Sequence, residues 1–81
     1  MHYVYVIKSI KDGELYVGHT NDLKRRIEER NKGMVKSTRG RRPFKLIYYE
    51  ASNILQDAVK REKSLKTGFG RAYLNRQLDD I

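Results

Sequence analysis

The sequence predicts a small α+β domain: a three-stranded antiparallel sheet flanked by three helices, in the order ββαβαα. Three observations predict it. Tyr3 to Ile7 and Leu15 to His19 are short aromatic and β-branched runs, the composition that favours a pleated surface. Asp12-Gly13 lies between them and is a strong hairpin signal, because a type I′ turn needs φ > 0 at both central residues. After Gly18 the apolar period changes from two to 3.6, the mark of a helix.

In strand one, Tyr3, Tyr5 and Ile7 share one face and Val4 and Val6 the other, so both faces are expected to be covered. If Asp12 and Gly13 form the whole loop, Lys11 pairs with Glu14 and Tyr5 lies opposite Thr20. Tyr5, Tyr16, Gly18 and Thr20 then share a face. In that register the two tyrosines stand four positions apart, roughly 13 Å at the backbone. They meet only by leaning together, or if a bulge shifts the pairing.

Asp22 to Asn31 reads as the first helix, capped by Thr20 or Asn21 and closed by Asn31-Lys32-Gly33. Its inward stripe is Leu23, Arg26, Ile27, Arg30. Two arginines thus stand where packing favours apolar residues; the bland alternative is that their stems line the core edge while their heads stay in water. Phe44 to Ala51 is the third strand, with Leu46, Tyr48 and Glu50 on one face and Ile47, Tyr49 and Ala51 on the other. The second helix begins near Ser52-Asn53, where Asn53 and Gln56 resemble a capping box, and it ends at Gly68. Its stripe Leu55, Ala58, Val59, Leu65 is interrupted by Glu62. A carboxylate there needs a cation or a metal; the bland partner is Arg26 or a neighbouring lysine. Phe69 to Leu78 reads as the third helix, with Phe69, Ala72 and Tyr73 inward.

Eighty-one residues make one domain, 1–81, with a thin core. With no cysteine and only His2 and His19, disulfides and the usual zinc sites are excluded. No apolar run approaches the ~20 residues of a membrane helix. No secretory signal precedes the first strand, and a cytoplasmic protein is expected. Eighteen lysines and arginines against ten acids leave a net charge of +8. Ten of the basic residues fall between Lys24 and Lys45, opposed there only by Glu28 and Glu29. Clustering of that kind points to a polyanion partner. It does not point to a membrane surface, since no helix pairs the charge with a strongly apolar face. Lys36, Arg39, Arg41, Arg42 and Lys45, in and just after the Met34 to Pro43 loop, are the candidate nucleic-acid contacts; the alternative is a solvated, mobile loop.

Tyr5, Tyr16, Arg26 and Glu62 offer no paired carboxylates for a two-metal nuclease and no Ser-His-Asp arrangement. They do offer one carboxylate for a hard cation such as Mg²⁺, an arginine for charge developing on phosphate, and hydroxyls to take or hold a proton. That combination suits phosphodiester hydrolysis with one metal.

These residues resemble a known family. Tyr3-Val4-Tyr5, Tyr16-Val17-Gly18, the run from Gly18 to Arg26, Thr38-Arg39-Gly40-Arg41-Arg42-Pro43, Lys60-Arg61-Glu62-Lys63 and Lys66 to Arg71 are together similar to a GIY-YIG endonuclease domain. The likeness is to the small stand-alone bacterial type, related to the nuclease domain of excision-repair nucleases. The resemblance implies cleavage of DNA, RNA not being excluded, with Mg²⁺ or Mn²⁺ on Glu62. Tyr5 would be the general base, Tyr16 would orient water or phosphate, and Arg26 would hold the scissile phosphate. Arg30 stands where related nucleases often carry histidine. It cannot act as a base at neutral pH, so it would bind phosphate or catalysis would be weaker. His19, after the second motif, would donate to phosphate or shuttle a proton, unless it is incidental. The competing expectations are a non-catalytic nucleic-acid-binding module and a nuclease subunit whose protein partner supplies the substrate. Either a monomer or a weak homodimer is compatible with this size.

Overall fold

The computed structural model describes residues 1–67, 70 and 72–74. Its centre is β1 (His2–Ser9), flanked by β2 (Leu15–Thr20) and β3 (Phe44–Ser52) in one antiparallel sheet of order β2-β1-β3. Helix α1 (Leu23–Asn31) links β2 to β3, and α2 (Leu55–Leu65) follows β3. Residues 70 and 72–74 are helical as well, which completes the expected ββαβαα order. Gly68, read as the end of the second helix, and the rest of the Phe69 to Leu78 segment lie outside the described residues; α2 itself stops at Leu65, with Lys66 as its cap.

Because β1 is the middle strand, both of its faces are buried, as its unbroken apolar pattern predicts. Val4 and Val6 pack with Ala58, Leu65 and Leu74 on the α2 side, and Tyr5 and Ile7 pack with Phe44 on the α1 side. Tyr16, Leu23, Ile27 and Leu46 complete the α1-side cluster. No helix among the described residues is long and apolar enough to cross a membrane.

The hairpin corrects the expected register. Tyr5 faces Gly18, not Thr20, and Tyr16 faces Ile7. The loop is four residues, 10–13. The Ser9 N–H donates to the Glu14 carbonyl (2.9 Å), and the Gly13 N–H donates to the Ser9 carbonyl (2.9 Å). The Ser9 hydroxyl, itself buried, accepts the Lys11 and Asp12 N–H groups (3.2 Å each), and the Asp12 carboxylate accepts that of Glu14 (2.9 Å). These side-chain acceptors stabilise a wider turn than the dipeptide alone requires, and only Gly13 takes positive φ, at 74°. The shift of two keeps every residue on its predicted face. It also brings Tyr5 and Tyr16 to diagonal positions, roughly 7 Å apart at the backbone.

Three further expectations change. The cap of α1 is Asp22, whose carboxylate accepts the Arg25 N–H at 3.1 Å. Thr20 is spent one step earlier, accepting the Asp22 N–H at 3.1 Å, and an acid suits the positive end of the helix. In β3 a bulge opposite Val6/Ile7 breaks the alternation. Leu46 therefore joins the α1-side cluster while Ile47 and Tyr48 both face α2. Helix α2 starts at Leu55 without a side-chain cap. Ser52 closes the preceding turn by accepting the Ile54 N–H (3.1 Å), and Leu55 is exposed rather than inward. The end of α1 is as read: Gly33 N–H reaches the Arg30 carbonyl and Met34 N–H the Glu29 carbonyl, the Schellman pairing.

Candidate active site

The α1 face of the sheet holds the first half of the site. Tyr5 is 1% exposed, and its ring runs across the strand pair over Gly18. A Cβ built on Gly18 would lie 2.4 Å from the tyrosine oxygen and 2.6 Å from Cζ. Only glycine leaves that path open. Gly18→Ala is therefore expected to lower stability by about 1–3 kcal/mol, the usual cost of overpacking a rigid interior. Urea unfolding checks this; a loss below about 0.5 kcal/mol would mean that Tyr5 moves aside freely.

Arg30 meets this tyrosine. Its Nε–H donates to the Tyr5 hydroxyl oxygen at 3.0 Å and its Nη1 to the Thr38 hydroxyl at 3.0 Å. The guanidinium carbon stands 5.7 Å from the ring centroid. The head of Arg30 is thus bound inside the protein, not extended into water. Tyr16 packs edge-on against Phe44, with centroids 5.6 Å apart. Its hydroxyl points to the hairpin turn, 3.5 Å from the Asp12 carboxylate. Tyr16, Arg30, Ser37, Thr38 and Arg41 line one side of a cleft of roughly 790 Å³, and Leu65 and Lys66 stand on the other. Arg26 lies one helical turn before Arg30. Its nearest ionic partner among the described residues is Glu29, at 3.7 Å; no bond joins it to Tyr5, Tyr16 or Glu62.

The second half lies on the α2 face. Alternation along β2 sends Tyr16 and Gly18 toward α1 but His19 toward α2, so the two halves sit on opposite sides of an edge strand. Glu62 reaches across from α2. One carboxylate oxygen, Oε1, meets His19 Nδ1, and the other, Oε2, accepts from Lys66 Nζ at 2.6 Å. The lysine alternative raised for Glu62 is thus met by Lys66, four residues on; Arg26 is not its partner. The carboxylate is mostly covered, with its side chain 15% exposed. Burial alone would raise its pKa, but hydrogen bonds and charge from Lys66 and His19 outweigh burial and hold it below the ordinary value.

No three histidine, cysteine or acidic side chains cluster among the described residues, so no all-protein metal cage is present. The donors do fit a cation that keeps water and takes phosphate oxygens as its remaining ligands. Glu62 is ionised, and His19 places a ring nitrogen against it.

The basic loop is folded onto the hairpin, not loose. Arg39 donates to the Gly33 carbonyl (2.9 Å), Arg41 to the Asp12 carboxylate (2.6 Å), and Lys11 to the Gly40 carbonyl (3.1 Å). The Ser9 hydroxyl donates to the Arg41 carbonyl, and Asn31 bonds both the N–H and the carbonyl of Phe44. Arg39 and Arg41 therefore spend part of their donor capacity holding the loop. Lys36, Arg42 and Lys45 have no acidic partner among the described residues. Thr38 and Asp12 were not legible as site neighbours; Lys66, at i+4 from Glu62, falls under the neighbouring-lysine alternative.

Tyr5, Tyr16, Arg30 and Glu62 are thus set around the β1–β2 edge of a three-stranded sheet, beside a basic loop. The model of the GIY-YIG catalytic domain matches residues 1–75, and the chain belongs to the GIY-YIG family. The UPF0213 protein SSP2268 of Staphylococcus saprophyticus is 43% identical over 67 residues, covering 82% of this chain and 80% of that one. The UPF0213 protein SA0446 of Staphylococcus aureus is 42% identical over 67 residues, with the same shares. The solution NMR structure of the UPF0213 protein BH0048 from Bacillus halodurans superposes with a TM-score of 0.57 at 35% identity, covering 94% of this chain and 83% of that one.

Proposed function

We propose that this chain is a divalent-metal-dependent endonuclease that hydrolyses phosphodiester bonds in DNA, structure-specific or weakly specific in its choice of site. The observation that carries the reading is the ionised, mostly covered Glu62 set across the edge strand from Tyr16 and the Arg30-bound Tyr5. The cleft beside them is walled by a basic loop.

Glu62, with His19 beside it, would hold a Mg²⁺ or Mn²⁺ ion, which supplies Lewis-acid polarisation of the phosphate and a more acidic bound water. Arg26 and Arg30 hold non-bridging oxygens of the scissile phosphate and balance the charge that grows there. Tyr16, on the cleft wall, orients the attacking water. The water oxygen adds to phosphorus, one of its protons passes to Tyr5, and the bond from phosphorus to the sugar oxygen breaks, the departing oxygen taking a proton from solvent. Tyr5 accepts as its phenolate, having first released its own proton to solvent, and the Arg30 charge on its oxygen stabilises that form until the water's proton arrives. Lys36, Arg42 and Lys45 follow the flanking backbone, and Arg39 and Arg41 shape the loop that presents them. A monomer with one such site nicks one strand; a weak homodimer cuts two.

One observation favours a second reading. Tyr5 is buried and its hydroxyl is already engaged, which fits a nucleic-acid-binding module, or a nuclease opened by a protein partner. A labelled panel of single strand, duplex, flap, splayed arm and four-way junction separates them. The expected result is cutting in Mg²⁺ or Mn²⁺ that stops in EDTA. Salt-sensitive binding with no cutting of any substrate would favour the second reading.

A further inference from the structure

We propose that the groove between α1 and β3 is a subsite for an unpaired nucleobase, which stacks on the ring of Tyr49. The proposal deepens the reading above by adding a single-stranded segment to the substrate, and it rests on the nucleic-acid partner of that reading. Among the described residues Tyr49 is the one tyrosine or phenylalanine ring left mostly in water, 54% exposed. It follows the β3 bulge and lies opposite Tyr5 of β1. Tyr3 meets its ring edge-on, with centroids 6.1 Å apart and planes at 63°, so the platform is braced and loses little freedom when a base arrives. Leu23, Ile27 and Leu46 complete an apolar floor, and the groove has a volume of roughly 630 Å³, within the range of small-ligand sites.

The rim favours a base over a phosphate. Asn21, Lys24 and Glu28 stand exposed around the floor. The ion pairs along α1 join Arg25 and Arg26 to Glu29, which leaves Lys24 and Glu28 without a salt bridge among the described residues. Glu28 repels a phosphate but accepts from a base amino group, and Lys24 and Asn21 donate to ring nitrogens or carbonyls. A second copy of the chain is the poorer occupant. β3 is an edge strand, but its bulge, the charges of Lys45 and Glu50 along it and a net charge of +8 on each copy all oppose edge-to-edge pairing. Lys24 and Glu28 lie on one flank of α1 and Arg30 on the other. A helix is about 10 Å across. At about 3.4 Å per nucleotide, the stacked base lies at least about three nucleotides from a phosphate held at Arg30.

Fluorescence anisotropy in EDTA tests this on the whole chain. The probes are a single strand of DNA, the same strand without bases, RNA of the same sequence and duplex DNA. Tyr49→Ala is expected to weaken binding of single-stranded DNA by about tenfold, the effect of one lost base–aromatic stack, and to leave the abasic strand and the duplex within about twofold. Tyr49→Phe should bind like wild type and Tyr49→Leu like Tyr49→Ala, since only a ring offers a stacking face. A loss on RNA in place of DNA would give the same subsite an RNA base. Circular dichroism establishes that each variant is folded. Equal losses on the intact and abasic strands, no loss on either single strand, or full binding by Tyr49→Leu would each overturn the proposal. So would a wild-type dimer in sedimentation that Tyr49→Ala dissolves, which would give the groove to a second copy. Failure to cut DNA bears on the nuclease reading and not on this subsite, whereas no binding of any probe by wild type removes the nucleic-acid partner and the subsite with it.

Discussion

Glu62→Gln is expected to lower the rate of DNA cleavage by about a thousandfold while leaving DNA affinity within about twofold. Losing the one carboxylate that would hold the cation removes several kcal/mol of charge stabilisation, and each 1.4 kcal/mol is a factor of ten. Glutamine keeps the size and can still meet His19 and Lys66, so the fold is retained. In the proposed reading binding is carried by the basic loop and does not pass through this side chain. Single-turnover cleavage and fluorescence anisotropy on the same substrate give the two numbers; cleavage within tenfold of wild type would remove Glu62 from the reaction. The variant also has a signature in acid. The Glu62 carboxyl is held below its ordinary value of 4.5 in the folded protein. Its contribution to stability is therefore complete above that value and lost as pH falls through the folded one. Glu62→Gln should be less stable than wild type at neutral pH, and the gap should close in acid, as urea unfolding between pH 7 and pH 3 would show.

The elements were legible because their signals are local. Strands and helices follow apolar periods, and of the stripe Leu23, Arg26, Ile27, Arg30 it is Arg30 that reaches the sheet, at Tyr5, while Arg26 pairs with Glu29 on its own helix. What Arg30 meets was not legible, because it depends on the hairpin register. Asp12-Gly13 reads as a complete two-residue loop. The wider turn is chosen by the buried Ser9 hydroxyl and the Asp12 carboxylate, whose roles appear only once the backbone has closed. That shift of two residues turns tyrosines four positions apart into diagonal neighbours and sets Gly18 beneath Tyr5. The bulge in β3 was hidden for a similar reason: Leu46 to Ala51 alternates plausibly in either register, and the partner strand decides. Glu62 was identified by its intrusion into an apolar stripe. Its pairing with His19, 43 residues away, has no periodic signature, and it emerges from the packing of α2 over the edge of β2.

Removing Arg30 tests whether that packing is catalytic machinery. Arg30→Met keeps most of the stem but leaves the Tyr5 hydroxyl, in a 1% exposed residue, without its donor. A hydrogen bond to a charged partner is worth about 1.5–3 kcal/mol, so a stability loss of that order is expected. Tyr5→Phe removes the hydroxyl and leaves Arg30 with Thr38 alone. If the two groups act through one bond, the double variant loses less than the two single losses combined, by at least about 1 kcal/mol. The same cycle read in cleavage rate is expected to be non-additive, with either single change costing about a hundredfold, within the range of a lost proton acceptor. Arg30→Lys is expected to recover little of either. An ammonium cannot place two donors in the fixed fork that spans Tyr5 and Thr38 at 3.0 Å each. Additive losses in both readouts would show that Arg30 merely packs against the ring, and that its guanidinium is spare for phosphate. Coupled stability with additive rates would assign the pair to the fold alone and move the proton acceptor to Tyr16, which lines the cleft.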